Sequence, residues 1–276
     1  YAQPLANWKL SGPDDFPVNV SGQINGIGRV CQIKFHPVLN NVMYAASASG
    51  GLFVSEDNGN SWTVTGTDAL PKTACSSVCI DFTNDSILYL STGDPNYYGA
   101  DYGVYKSTDK GTTWNQSNTG MGNRMALEML MNPSDHNTII AATNDGIYKT
   151  IDGGATWVVK KSGGAFTDMT FKAVSGTDTV YAATTGQFWL SSDMGETWTL
   201  IPVPITIGGS ANGIRIGVSA ANPDKIYLGV LYYDATTHYG TIYRSDDGGL
   251  TFTGVKTQNF PDIAGYNAND PGQGNY

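Results

Sequence analysis

The chain has 276 residues, 40% of them hydrophobic, with 34 glycines and a formal net charge of −9, a composition that supports a large core in a turn-rich, soluble fold. The acidic balance and the lack of a basic stripe exclude a partner whose phosphates need neutralising, so no nucleic acid is expected. No apolar run approaches the ~20 residues of a membrane span, so no membrane insertion is expected either.

In chain order, residues 1–20 open on Tyr1-Ala2-Gln3, a start compatible with a signal peptide already removed, and contain Trp8-Lys9-Leu10, a candidate closing strand. Residues 21–262 read as five similar units and residues 263–276, ending Gln273-Gly274-Asn275-Tyr276, as the start of a further unit or a linker. Within each unit, a strand with period-two alternation comes first, clearest in Cys31-Gln32-Ile33-Lys34-Phe35 and Ile214-Arg215-Ile216-Gly217-Val218. A turn with Asn or Asp, often with Pro, follows, and it holds His36 and His136 in units one and three. Next come a short apolar run, such as Val42-Met43-Tyr44-Ala45-Ala46 or Ile226-Tyr227-Leu228-Gly229, and a third strand such as Gly51-Leu52-Phe53-Val54. Met125 to Met131 resembles a helix locally, but it stands in the first-strand position of unit three and is read as a strand.

Each third strand ends in the same octapeptide, Ser/Thr-x-Asp-x-Gly-x-Ser/Thr-Trp/Phe: Ser55 to Trp62, Ser107 to Trp114, Thr150 to Trp157, Ser191 to Trp198 and Ser245 to Phe252. Self-similarity at intervals of 41 to 54 residues predicts a repeat architecture. Asp57, Asp109, Asp152, Asp193 and Asp247 are suited to accept hydrogen bonds from the backbone of their own turns. Gly59, Gly111, Gly154, Gly195 and Gly249 suit a positive φ. The closing aromatics, Trp62, Trp114, Trp157, Trp198 and Phe252, are large enough to fill the space between neighbouring sheets. A fourth strand beginning at each aromatic completes four strands per unit. The acidic residues lack the Asp-x-Asp-x-Asp-Gly spacing of a calcium loop, so no metal and no cofactor is expected. Cys31, Cys75 and Cys79 are an odd set without metal spacing and are read as buried free thiols.

The octapeptide resembles the Asp-box, or bacterial neuraminidase repeat, of sialidases, sortilin-type receptors and xyloglucan-cleaving glycoside hydrolases, over about residues 20 to 260. The resemblance implies an all-β fold, a β-propeller of four-stranded antiparallel blades, with the five blades read as a sector of a larger ring and a closed ring of five as the alternative. Gly28 through Leu52 looks like the first blade of the xyloglucan-cleaving enzymes, and like those of large secreted Bacteroidetes proteins in which a sortilin-like propeller precedes adhesion modules. In those enzymes the segment reads Tyr-Ala-Arg-Thr-Asp-x-Gly-Gly and its Asp is catalytic. Here Ala46 and Ala48 stand at the Arg and Asp positions. Glycoside hydrolysis needs two carboxylates flanking the bond, so the resemblance assigns no catalytic residue to this chain.

The same architecture implies that loops between second and third strands open opposite the octapeptide turns. They are long and aromatic in units two and five, Gly93 to Gly103 and Tyr232 to Gly240. Tyr97, Tyr98, Tyr102, Tyr232, Tyr233, His238 and Tyr239 are therefore candidate ligand contacts, suited to stacking on sugar rings or gripping a peptide, the alternative being that the tyrosines fold back and cover blade edges. Arg29 and Arg215, at what read as matching points of the innermost strands, are candidates for lining a central channel and binding an anion, or for pairing with local carboxylates or carbonyls. The expectation is a secreted or cell-surface binding module for a polysaccharide or protein, joined to further domains of the same polypeptide. The alternative is the N-terminal part of a polysaccharide hydrolase whose acids lie elsewhere.

Overall fold

The computed structural model describes residues 29–96, 101–205, 210–233 and 238–256. Their strands form five four-stranded antiparallel sheets, each a meander in chain order, with no α-helix among the described residues. Blade one is β1 (Val30–Phe35), β2 (Met43–Ser47), β3 (Gly51–Ser55) and β4 (Thr63–Val64). Blade two is β5 (Cys75–Ile80), β6 (Leu88–Thr92), β7 (Val104–Ser107) and β8 (Asn115–Gln116). Blade three is β9 (Ala126–Asn132), β10 (Asp135–Thr143), β11 (Gly146–Thr150) and β12 (Val158–Ser162). Blade four is β13 (Phe166–Phe171), β14 (Val180–Thr184), β15 (Phe188–Ser191) and β16 (Thr199–Ile201). Blade five is β17 (Ser210–Val218), β18 (Ile226–Tyr233), β19 (His238–Ser245) and β20 (Thr253–Lys256). These are the blades of a β-propeller. They fall into two compact units, residues 1–116 with blades one and two and residues 117–276 with blades three to five.

The first residue of each octapeptide sets a common register. Ser55 lies opposite Met43 and Met43 opposite Phe35. The corresponding rows are Ser107, Leu88 and Ile80 in blade two and Thr150, Ile139 and Met131 in blade three. In blades four and five they are Ser191, Val180 and Phe171, then Ser245, Ile226 and Val218. The central residues of the second strands in blades one to four are buried on both faces, which is why Ala45-Ala46, Ala141-Ala142 and Ala182-Ala183 are small: sheets sandwiched between neighbours leave little room there. Fourth strands such as Thr63–Val64 and Asn115–Gln116 are exposed. They begin one residue after the octapeptide aromatic rather than at it, because the aromatic leaves the ladder to pack inward.

The octapeptide turn is closed by its own side chains. In blade one, Ser55 Oγ donates to Asp57 Oδ1 at 2.9 Å and accepts from Gly59 N at 2.8 Å, while Ser61 N and Ser61 Oγ donate to the two Asp57 oxygens at 2.8 and 2.6 Å. The same set recurs around Asp109, Asp152, Asp193 and Asp247. The turn glycines have φ between 77° and 91°. The residue before each is left-handed too, including non-glycines at Asn58, Lys110 and Met194. Its N–H donates to a carbonyl two residues before the second-strand residue that faces the start of the octapeptide, as in Lys110 N to Ser86 O and Met194 N to Asp178 O. That long-range bond holds a conformation which side chains disfavour by about 1–2 kcal/mol.

Neighbouring blades within a unit share a core. Tyr44 and Leu52 of blade one meet Val78 and Leu88 of blade two. Ile140 and Ile147 of blade three meet Met169 and Val180 of blade four. Phe188 of blade four meets Phe252 of blade five edge-to-face at 5.0 Å. Trp62, Trp157 and Phe252 are buried, and Trp114 and Trp198 pack half-buried against these cores. The segment leaving one fourth strand also caps the next octapeptide. In the first unit Gly66, opening the 3-10 turn Gly66–Ala69, donates its N–H to Gly111 O at 2.7 Å. In the second unit Ser117 Oγ donates to Gly154 O at 2.7 Å and Trp157 Nε1 to Ser117 O at 2.8 Å.

Candidate functional site

The octapeptide turns lie at one end of each blade, so the connections between second and third strands lie at the other. In the first unit, the root of the blade-two connection is firmly held. Gly93 N donates to Ala74 O at 2.8 Å, and Thr92 Oγ1 donates to Gly103 O at 3.0 Å and accepts from Tyr102 N at 3.1 Å. Asp94 accepts from Asn96 N at 2.9 Å and forms an ion pair with Arg29. Lys72 stands 3.9 Å from Asp101 on the other side of the connection. Tyr102 is half-buried and its carbonyl accepts from Gln116 Nε2 at 3.4 Å. Tyr97 and Tyr98 lie outside the described residues.

In the second unit, blade five departs from the expected long loop. β18 and β19 run eight residues each and pair to Tyr233 and His238, with Tyr232 opposite Tyr239 and β17 continuing alongside to Ser210. In blade four the equivalent strands have five and four residues. Tyr232, Tyr233, His238 and Tyr239 therefore sit on a hydrogen-bonded three-strand extension. Backbone pairing supplies the rigidity that a loop would lack, and local sequence carried no sign of it beyond the β-favouring Tyr and Thr on both sides.

The arginines are engaged locally. Arg215 NH1 donates to Thr167 O at 3.1 Å and Ile214 O at 3.4 Å. Arg124 pairs with Asp145 at 2.6 Å and its guanidinium lies 5.3 Å from the Tyr148 ring centre. Arg244 pairs with Asp246 at 2.9 Å. Register also separates Arg29 from Arg215, which do not match: Arg215 faces Gly229, the position held by Gln32 opposite Ala46, whereas Arg29 precedes β1.

Other candidates resolve into structural roles. Ala46 is buried in β2, and Ala48 donates its N–H to Arg29 O at 2.7 Å, so neither position brings a carboxylate to this end of the blade. His36 accepts at Nδ1 from Val38 N and Leu39 N, at 3.2 and 3.0 Å, and burial holds its pKa below the usual value. It caps its own turn as a neutral ring. His136 lies inside β10 rather than in the preceding turn, because that turn is only two residues, Pro133 and Ser134. The three cysteines are unbridged, Cys75 and Cys79 buried and Cys31 half-buried. Burial raises the Cys31 thiol pKa against the opposing pull of Arg29. Among the described residues, no group of three His, Cys, Asp or Glu side chains converges as metal ligands, and no helix is long and apolar enough to cross a membrane.

No family model matches the chain, and no curated protein matches it. Solved structures do. An ancestral GH74 enzyme aligns at a TM-score of 0.68 and 21% identity over 83% of this chain and 31% of its own. The GH74 xyloglucanase from Xanthomonas campestris aligns at 0.52 and 16% over 88% of this chain and 47% of its own. YCF48 bound to D1 peptide aligns at 0.54 and 15% over 82% of this chain and 66% of its own. The chain thus spans about a third to a half of the GH74 structures it resembles. At these identities the likeness establishes the propeller fold alone.

Proposed function

We propose that this chain is an extracellular, non-catalytic Asp-box propeller module that binds a glycan or a protein through the face opposite its octapeptide turns. One observation carries the reading: the paired extension of β17, β18 and β19, whose backbone register sets Tyr232 opposite Tyr239 and Tyr233 opposite His238 at that end of blade five. Tyrosine is amphipathic and loses little entropy on binding, so a rigid tyrosine-bearing edge suits the flat face of a sugar ring or an extended peptide. The pinned root of the blade-two connection, with Arg29 on Asp94, supports a second contact region that includes Tyr97, Tyr98 and Tyr102. Arg215 contributes only where a ligand anion outcompetes the Thr167 carbonyl.

A glycan array and a pulldown, each run with wild type, Tyr97→Ala/Tyr98→Ala and Tyr232→Ala/Tyr233→Ala, test the reading. Loss of binding in either double supports it; binding unchanged in both abandons it.

The GH74 neighbours favour a second reading, in which this chain is the N-terminal part of a polysaccharide hydrolase with acids outside it. Ala48 at the position of the expected acid weighs against catalysis by these residues. On either reading, the five blades fall within residues 21–262 of a secreted or cell-surface polypeptide; residues 1–20, read as an N-terminal segment, and 263–276, read as the start of a further blade or a linker, lie outside the described residues. Release of reducing sugar from xyloglucan by a longer polypeptide that carries this chain together with further sequence, and not by the 276-residue chain alone, would favour the second reading over the first.

A further inference from the structure

Cys31 and Cys75 stand on facing strands at the seam between blades one and two. β1 carries a bulge between Val30 and Gln32, and Cys31 is the extra residue in it. Val30 packs with Ala45, Phe53 and Trp62, on the face of blade one opposite to the one, with Tyr44, Ala46 and Leu52, that blade two covers. Strand alternation therefore turns Cys31 toward blade two. Beside it Gln32 points the same way, its Oε1 accepting from Val78 N at 2.8 Å.

Cys75 opens β5 on the other side of the seam, fully buried in the core that Ala46 and Leu52 share with Val78 and Leu88. Two contacts bracket the pair. Arg29 forms its ion pair with Asp94, two residues past the Thr92 that lies opposite Cys75, and Gln32 reaches Val78. Cα atoms of β1 and β5 come within 8 Å of one another, close to the ~7 Å that a disulfide spans. Burial first, and then the charge of Cys31, push the Cys75 thiol pKa up. Cys79 is buried outside that core and lies roughly 13 Å along the strand from Cys75, too far to bridge it.

We propose that Cys31 and Cys75 are a redox pair that closes into a disulfide, stapling β1 to β5. The oxidant is a low-molecular-weight disulfide such as oxidised glutathione. Cys31 is the entry point, because it is half-buried and the Arg29 guanidinium favours its thiolate against the upward pull of burial. Its thiolate attacks one sulfur of the oxidant, forms a mixed disulfide and releases a first thiolate. Cys75, whose thiol donates to Thr73 O at 3.2 Å, gives its proton by way of solvent to a departing thiolate and attacks the Cys31 sulfur, which releases the second. Two protein thiols are oxidised, and one external disulfide is reduced to two thiols that carry away both protons. Because Thr92 Oγ1 holds Tyr102 N and Gly103 O, the staple ties blade one to the root of the blade-two connection.

The pair is tested by equilibrating the 276-residue chain with oxidised glutathione, alkylating it unfolded and mapping its peptides by mass spectrometry without reduction. A Cys31–Cys75 peptide pair is expected, two hydrogens lighter than its reduced parts, with Cys79 alkylated. Cys75→Ala should instead retain glutathione on Cys31, and Cys79→Ser should bridge as wild type does. The oxidised wild type should unfold at a urea concentration about 1 M higher than the reduced protein, a shift absent from Cys31→Ser. A bridge to Cys79, or Cys31 and Cys75 both still alkylated after equilibration, overturns the proposal. Glutathione left on Cys31 while Cys75 is present overturns it as well, since the two sulfurs then stand too far apart to close.

Discussion

The carboxylate of Asp168 in blade four accepts a hydrogen bond from the backbone N–H of Ile216 in blade five, at 2.7 Å. Gln32 of blade one does the same for Val78 of blade two, at 2.8 Å, from the same register position. Each fastens an innermost strand to the next by a side chain reaching across a seam where backbones do not pair. Arg215 holds this position in blade five and turns to Thr167 O instead.

Asp168→Ala should leave the Ile216 N–H without that acceptor and cost about 1–3 kcal/mol, the penalty for stranding a shielded donor. Asp168→Asn should cost less, because the amide carbonyl of Gln32 already performs this task in blade one. Urea unfolding of both variants measures the difference, and an equal loss in the two would mean that the charge, rather than the hydrogen bond, matters.

The octapeptide aspartates predict a specific acid response. Hydrogen bonds from Thr156 and from Thr251 lower Asp152 and Asp247 to about 2. Asp57 and Asp109 are lowered by Ser61 and Thr113, and in Asp193 the upward pull of burial is outweighed by Thr197 and Ser191. Since these folded-state values lie below the unfolded value of about 3.9, the unfolded chain binds more protons between the two. Their contribution is complete above pH ~4 and is lost as pH falls toward ~2. Calorimetry from pH 6 to pH 2 should record a falling melting temperature over that interval, with a shallower fall in Asp152→Asn/Asp247→Asn, which starts lower at pH 6.

Gly120 and Gly163 separate backbone strain from crowding. Their φ angles are 86° and 85°, but a Cβ on Gly120 would stand 2.2 Å from Trp157 O, whereas one on Gly163 meets nothing within 4 Å. Gly163→Ala should cost about 1–2 kcal/mol for the left-handed conformation alone. Gly120→Ala should add about 1–3 kcal/mol as the loop and the blade-three aromatic are forced apart. Chemical denaturation of the two variants measures the gap.

Arg29 and Asp94 should be energetically coupled. Their side chains are 27% and 18% exposed, shielded more than a surface pair but not fully desolvated. Arg29→Gln and Asp94→Asn should each destabilise blade two's connection, and the double variant should lose less than the sum. A coupling energy of about 1 kcal/mol in the double-mutant cycle is expected; additivity would mean that the pair does not hold the loop.

Shape that is held by neighbours along the chain is legible in the residues alone. The side-chain hydrogen bonds that close the octapeptide turn span at most four residues, as in Ser61 N to Asp57 Oδ1 and Gly59 N to Ser55 Oγ, so its residue types suffice to state how the turn closes. Five such turns in register with apolar strands imply the blades and the end at which each turn sits. The left-handed residue before each turn glycine is not legible, since Lys110 and Met194 give no hint of it. Asn58, Gly153 and Gly248 at the same position are the available signal. The partner of Arg29 is 65 residues away, and the β18–β19 extension depends on Ser210 and Ala211 pairing alongside from the preceding strand. The sequence by itself determined the repeating unit, because that unit is held by short-range chemistry. Only the tertiary structure decided which arginines are engaged and which strands of blade five lengthen into a paired extension, because each of these depends on residues that meet across separate strands.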